Sequence, residues 1–210
     1  MSRSEQKLQT RQRILEAAGR GFRKGGFGGI GVDGLAKEAG VTSGAFYVHF
    51  DSKAAAFQAV VSQGMADLKQ GIRELQATQG RDWWPAFVRF YLGPRRRCGL
   101  AESCALQSLA PEVARSDAAA RAAFEADLLE VATLVAAGPP SDHAPADVDA
   151  ALAALATLAG AVTLARSVDD PALAERFAGA AEQVLLPGPV ATRRGGAPAK
   201  GSAAAKKKRA

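Results

Sequence analysis

Cysteine is nearly absent from this 210-residue chain, which has only Cys98 and Cys104. Two cysteines make no disulfide framework, so a reduced, cytoplasmic setting is expected. Histidine is as scarce, with His49 and His143 alone. Two separated imidazoles leave little acid–base chemistry and no cluster with metal-ligand spacing, and no glycine-rich phosphate loop follows a strand. No enzyme, metal or cofactor is therefore expected. Isoleucine and tyrosine are few, and the 48% hydrophobic content is mostly Ala, Leu and Val, a mix that favours helices over strands. Long apolar runs are missing too. The longest uncharged stretch, Ala150 to Ala165, has sixteen residues rich in Ala, Gly and Thr. Too short and too weakly apolar to span a bilayer, it reads as a buried helix. The opening MSRSEQKLQTRQR has no apolar core, so neither a secretion signal nor a membrane partner is expected.

What charge there is lies at the ends. The chain is +6 overall, but residues 1–53 hold nine Lys/Arg against five acids, and residues 187–210 hold seven and no acid. The middle, 54–186, is then net −5. Two basic ends on an acidic body point to a polyanion partner that touches the ends only. Simple solubilisation is the plainer alternative.

Hydrophobic spacing divides the chain into helices throughout. In residues 7–24, Ile14, Ala18 and Phe22 recur at i, i+4 and i+8 beside Leu15, with Arg and Lys around the rest. GGFGGIG (25–31) stops that helix. A short helix over 32–39 buries Leu35 and Ala36, Gly40 turns the chain, and Thr42 or Ser43 caps a helix over 43–49. Asp51-Ser52 caps a long helix from Lys53 to about Thr78. Asp82 opens the next, with Trp84, Phe87, Val88 and Tyr91 on one face and Pro85 in its first turn. Arg95-Arg96-Arg97 reads as a loop, and 102–115 as a helix interrupted by Pro111. Ser116 or Asp117 caps a helix to Ala137 with Phe124, Leu128, Val131 and Val135 on one stripe. Helices over 146–166 and 170–186 follow, then a basic tail of disordered composition, 187–210. The expectation is an all-α protein of about nine helices.

The stretch GVTSGAFYVHFDSK (40–53) carries the functional signal. Two short helices joined by a tight glycine turn form a helix-turn-helix. The second must present small or hydrogen-bonding side chains at its N-terminal end to enter a major groove. Thr42, Ser43, Gly44 and Ala45 do so. Tyr47 and His49 flank them within reach of phosphate, and Lys53 opens a helix whose dipole also attracts phosphate. Phe46 and Phe50 turn inward. The duller reading makes Tyr47 and His49 half-buried packing residues.

The run TRQRILEAAGRGFRKGGFGGIGVDGLAKEAGVTSGAFYVHFDSKAAAF (10–57) resembles, without a gap, the DNA-binding domain of TetR-family bacterial transcriptional regulators. It shares the T-R-x-x-I-L-x-A-A opening, A-x-x-x-G-V, G-x-x-Y-x-H-F and the trailing S-K. The resemblance implies a homodimer whose N-terminal three helices (1–53, helix-turn-helix from Gly31 to Phe50) read operator DNA. It implies DNA contacts on Thr42, Ser43, Gly44, Ala45, Tyr47, His49 and Lys53, with Thr10 a candidate backbone contact. The remaining helices (54–186) would enclose a small-molecule pocket and dimerise through the last two, giving a repressor released by a small apolar or aromatic effector. Two positions depart from the family: Ile30 and Gly31 stand where Thr or Ser is usual, and Ser43 where Arg or Lys is common. The tail (187–210) is not a family feature. It either grips flanking phosphates without specificity or only solubilises, and a tail-driven non-specific DNA binder is the competing function.

CGLAESCALQSLAPEVARSD (98–117) is similar to the segment that opens the ligand domain in one branch of the family. Cys104 is then either a small buried hydrophobe or a pocket thiol that senses electrophiles or oxidants. Arg95, Arg96 and Arg97 put positive charge beside Cys98, a second candidate sensor. Trp84, Phe87, Tyr91, Cys104 and Gln107 are the expected pocket residues. In the last two helices, Leu152, Leu155 and Val162 are expected to pack on Leu173, Phe177 and Val184. Ala150, Ala154, Ala161 and Ala165 would leave a smooth face for a second copy.

Overall fold

Why the first helix starts so early is visible at its end. The Ser2 side chain accepts from the Glu5 backbone N–H at 3.2 Å, while the Glu5 carboxylate accepts from the Ser2 N–H at 2.7 Å. This capping box starts α1 at Arg3, ahead of the apolar periodicity, and α1 runs Arg3–Gly25. In the computed structural model, residues 2–188 are described; the basic tail expected at 187–210 lies outside them but for its first two residues. Among the described residues the chain is all-α, in keeping with the sequence reading, with no strand.

After α1 come α2 (Val32–Glu38) and α3 (Ser43–His49). Gly40 joins them at φ 66°, a left-handed conformation that an L side chain resists. Phe46 and Phe50 are buried with Ile14, Leu15, Ala18, Phe22 and Leu35, so the three helices share one small core. The longest helix, α4 (Lys53–Thr78), is capped by Ser52 and leaves this unit to enter the larger body.

That body contains α5 (Trp83–Leu92), the single turn α6 (Pro94–Arg97), α7 (Ala105–Ala114), α8 (Ala118–Ala136), α9 (Val148–Arg166) and α10 (Pro171–Leu185). Asp117, Asp147 and Asp170 cap the last three through their carboxylates. α4 packs on α8, α8 on α9, and α9 on α10. Trp83 and Trp84 sit fully buried where α5 meets the α8–α9 loop, and the Trp83 indole N–H donates to the Pro139 carbonyl at 2.8 Å.

The structure corrects five readings. Residues 95–97 are helical, because Pro94 at the first helical position opens a turn and long-range contacts hold it. Pro111 leaves α7 unbroken. Ala154 and Ala165 are buried within the chain, and Val184, expected between the last two helices, is 69% exposed. Finally, α9 reaches 19 residues at mean hydropathy 1.8, enough by length and composition alone to cross a membrane. It is packed instead against α5, α7, α8 and α10.

Candidate nucleic-acid interface and the cavity behind it

α3 presents its outer face beyond the small core. Tyr47 is 54% exposed and Val48 67%, an aromatic and an apolar side chain that burial does not explain. The Thr42 hydroxyl caps the helix by accepting from the Ala45 N–H at 3.1 Å, and its own proton stays available to a phosphate. Gly44 is exposed with no obstruction above its Cα other than the Thr42 Oγ1, so a base edge can approach the backbone closely. Ala45 is half-buried beside it.

Three expected contacts are engaged within the protein. The Ser43 hydroxyl donates to the Asp33 carboxylate of α2, so it reaches a base only by giving up that partner. The Thr10 hydroxyl donates to the Gln6 carbonyl at 2.9 Å. The Lys53 ammonium lies over the Phe27 ring, 4.4 Å from its centroid, a cation–π contact that holds it at the start of α4. His49 is half-buried, with its Nδ1 unpartnered. Burial, then the charges of Lys7 and Arg11, hold its pKa below the ordinary histidine value.

Of the α1 side chains beside α3, the sequence pointed to Thr10 but not to its neighbours. Arg3, Ser4, Gln6, Lys7 and Thr10 border one open groove with Val48 and His49, which places basic α1 side chains beside α3. The missed signal was the Ser2/Glu5 capping box, which extends α1 far enough to reach. Arg11 is steadied over the Phe50 ring at 4.8 Å.

Behind this unit, α4, α5 and the approach to α7 surround a cavity of about 630 Å³. Phe87, Tyr91 and Cys104 line it, joined by Ile72, Leu75, Phe90 and Arg95. Trp84 does not line it; it is fully buried and packs edge-on to Trp83. Gln107 points elsewhere, its amide donating to the Thr163 hydroxyl at 3.3 Å. Cys98 lies outside the cavity, with its thiol donating to the Arg95 carbonyl at 3.0 Å. Both cysteines are free.

Two links join the cavity to the α1–α3 unit. Arg23 of α1 lays its guanidinium against Gly64 of α4, where a Cβ would stand 3.1 Å from Nη2. The segment Leu100–Glu102, just before Cys104, packs on α1.

Comparison with known proteins agrees with this layout. Residues 14–60 match the family described as bacterial regulatory proteins, tetR family. Over 57 residues the chain is 44% identical to the HTH-type transcriptional regulator TtgR of Pseudomonas putida. That alignment spans 27% of this chain and 27% of the relative, so it speaks for about a quarter of each. The fold extends further. A TetR-family regulator from Agrobacterium tumefaciens superposes with TM-score 0.70 at 19% identity, covering 85% of this chain and 97% of its own. Reduced NemR from E. coli does so with TM-score 0.67 at 23% identity, covering 82% and 95%. At those identities the likeness shows a shared fold.

Proposed function

We propose that this chain, which belongs to the tetR family of bacterial regulatory proteins, works as a sequence-specific DNA-binding transcriptional repressor that a small ligand releases from its operator. One observation carries the DNA reading: α3 exposes Tyr47 and Val48 beyond a core formed by Phe46 and Phe50, with the basic groove of α1 alongside. That arrangement is what a major-groove reader needs, small groups at the helix start for bases and flanking groups for phosphate. Thr42, Gly44, Ala45 and Tyr47 are the proposed contacts to DNA, with Ser43 after release from Asp33. His49, Lys53, Lys7 and Arg3 serve the backbone. Residues 1–53 form the reading domain and 54–186 the ligand and dimer domain.

Operators read by such heads are inverted repeats, so two copies are needed. Ala153, Ala156, Gly160 and Leu164 of α9, with Gly179, Ala180 and Val184 of α10, are exposed and small or apolar. They offer the face for a partner copy, displaced by about one residue from the alanines the sequence pointed to.

Ligand-responsive repression is typical of the family, and the cavity gives this chain the means. Its apolar lining suits an apolar or aromatic molecule that shifts the spacing of two reading heads. The reading is of a binding protein, with no catalytic step, acting in the cytoplasm where its DNA lies. A second reading keeps the same fold and makes Cys104 a thiol sensor, favoured by its place in the cavity wall.

Selection of binders from a random-sequence duplex library tests the proposal. Enrichment of an inverted repeat is expected. Recovery of duplexes without a common motif, with steep salt dependence, would instead support tail-driven, sequence-independent binding.

A further inference from the structure

The three consecutive arginines before Cys98 have different fates. Arg96 is buried, its Nε donating to the Leu92 carbonyl at 2.7 Å and its Nη2 to Glu175 at 2.6 Å. Arg97 shares the same carboxylate at 3.3 Å. Among the described residues, the Arg95 guanidinium has no ion pair and no hydrogen bond, and it lines the cavity. Beside it stands Tyr91, 1% exposed, whose hydroxyl approaches the Cys104 thiol yet has no hydrogen-bond partner of ordinary geometry. A buried hydroxyl left unpaired costs about 1–3 kcal/mol, so in a native fold it calls for a partner.

The surroundings say what kind of partner. Arg23 and Arg166 lie close enough to act on this cluster, and each has an unpartnered, buried Nε. Arg166 spends its Nη2 on the carbonyls of Arg95 and Cys98. The acids that line the cavity, Asp67 and Glu74, are exposed and accept from Gln63 and Gln70 at 2.8 Å each. Asp67 and Glu102 act on Arg23, but the Arg95 guanidinium and the Tyr91 hydroxyl at the cationic end of the chamber are left without an acceptor, and its apolar walls include Ile72, Leu75, Phe87 and Phe90.

We propose that the cavity takes an amphipathic monoanion, an aromatic or medium-chain carboxylate, with its head on the Arg95 guanidinium and the Tyr91 hydroxyl and its body along Ile72, Phe87 and Phe90. This rests on the reading of the cavity as the effector site and assigns the chemistry of the effector. A carboxylate accepts from both donors at once, and charge-assisted hydrogen bonds are about twice as strong as neutral ones. Because Arg23 belongs to α1, the same negative charge also acts on the DNA-reading unit.

The test compares acids with neutral isosteres by calorimetric titration of the full chain: 2-naphthoate against 2-naphthamide, and octanoate against octanamide. Wild type is expected to bind each acid at least about tenfold more tightly than its amide. Arg95→Gln should bring the two within about threefold without weakening the amides. Tyr91→Phe, which keeps the ring packing, should weaken the acids severalfold and provides a second arm should Arg95→Gln fail to fold. Equal binding of acid and amide by wild type, or a preference that survives both substitutions, overturns the head-group assignment while leaving the cavity an effector site. No binding by any of the four overturns the assignment and the effector site together. Operator binding, read on the free protein, is judged separately.

Discussion

The backbone N–H of Phe27 donates to the Glu112 carboxylate at 3.2 Å, across 85 residues of sequence. The bond ties the turn after α1 to α7, the helix that begins at the cavity wall. Gly26 makes room for it: at φ 70° it leaves the left-handed region free of a side chain, and a Cβ there would stand 3.0 Å from Glu112 Oε1. The α1–α3 unit and the larger helical body are thus joined by specific contacts as well as by the continuous α4.

Glu112→Ala removes that acceptor and leaves the Phe27 N–H part-buried and unpaired. Stability is expected to fall by about 1–2 kcal/mol in urea unfolding. Glu112→Gln, which keeps an acceptor oxygen, should recover part of the loss. An unchanged midpoint in the alanine variant would show that water replaces the carboxylate.

Two glycines of α4 give opposite signs. A Cβ at Gly64 would overlap that of Ala105 and press on Arg23, so Gly64→Ala is expected to cost about 1–3 kcal/mol. Gly71 has nothing within 4 Å, and Gly71→Ala should gain up to about 1 kcal/mol by helix propensity. Thermal unfolding of the pair checks both. If Gly64→Ala is also stabilising, the close approach of α4 and α7 is wrong.

His49 is expected to give operator binding a pH dependence. In the free protein its pKa is depressed, chiefly by burial, so it is neutral at pH 7.5. A phosphate alongside favours the charged form, so binding takes up a proton and tightens as pH falls toward 5.5. His49→Gln should flatten that slope. Without DNA the sign reverses: protonation penalises the folded state, and stability declines as pH falls through the ordinary histidine value of about 6.5. Identical binding profiles for wild type and variant would remove His49 from the interface.

Arg23→Gln tests the coupling. Operator affinity of the free protein is expected to stay within about threefold, while the loss of affinity on adding ligand shrinks by much of the roughly 1–3 kcal/mol typical of such coupling. Titration of operator with and without ligand measures both. A full ligand response in the variant would send the coupling through α4 or Glu112 instead.

Local rules made most of the fold legible. The apolar spacing of Ile14, Ala18 and Phe22, the turn at Gly40, and the caps at Thr42, Ser52 and Asp117 each act within a few residues, and each stands where the sequence puts it. The misreadings came where a distant partner decides. Arg96 is helical and buried because Glu175 meets it from α10, and Ser43 is engaged because Asp33 lies across the turn. Likewise, the sequence brought Phe87, Tyr91 and Cys104 together by aromatic content and position, but not Arg95, whose freedom shows only once its two neighbours are seen paired. Trp84 and Gln107 share the composition of a pocket wall; which way they point is set by packing against Trp83 and Thr163.

The most direct test of the account is an anisotropy titration at physiological salt, using DNA from upstream of the protein's own gene beside a scrambled duplex, with wild type and Tyr47→Ala. Tyr47 is exposed and its loss should leave the fold intact. Wild type is expected to bind the upstream fragment alone and tightly, with affinity weakened at least about tenfold in the variant. Equal, salt-sensitive binding of both duplexes by both proteins would contradict this, because affinity would then owe nothing to the face of α3.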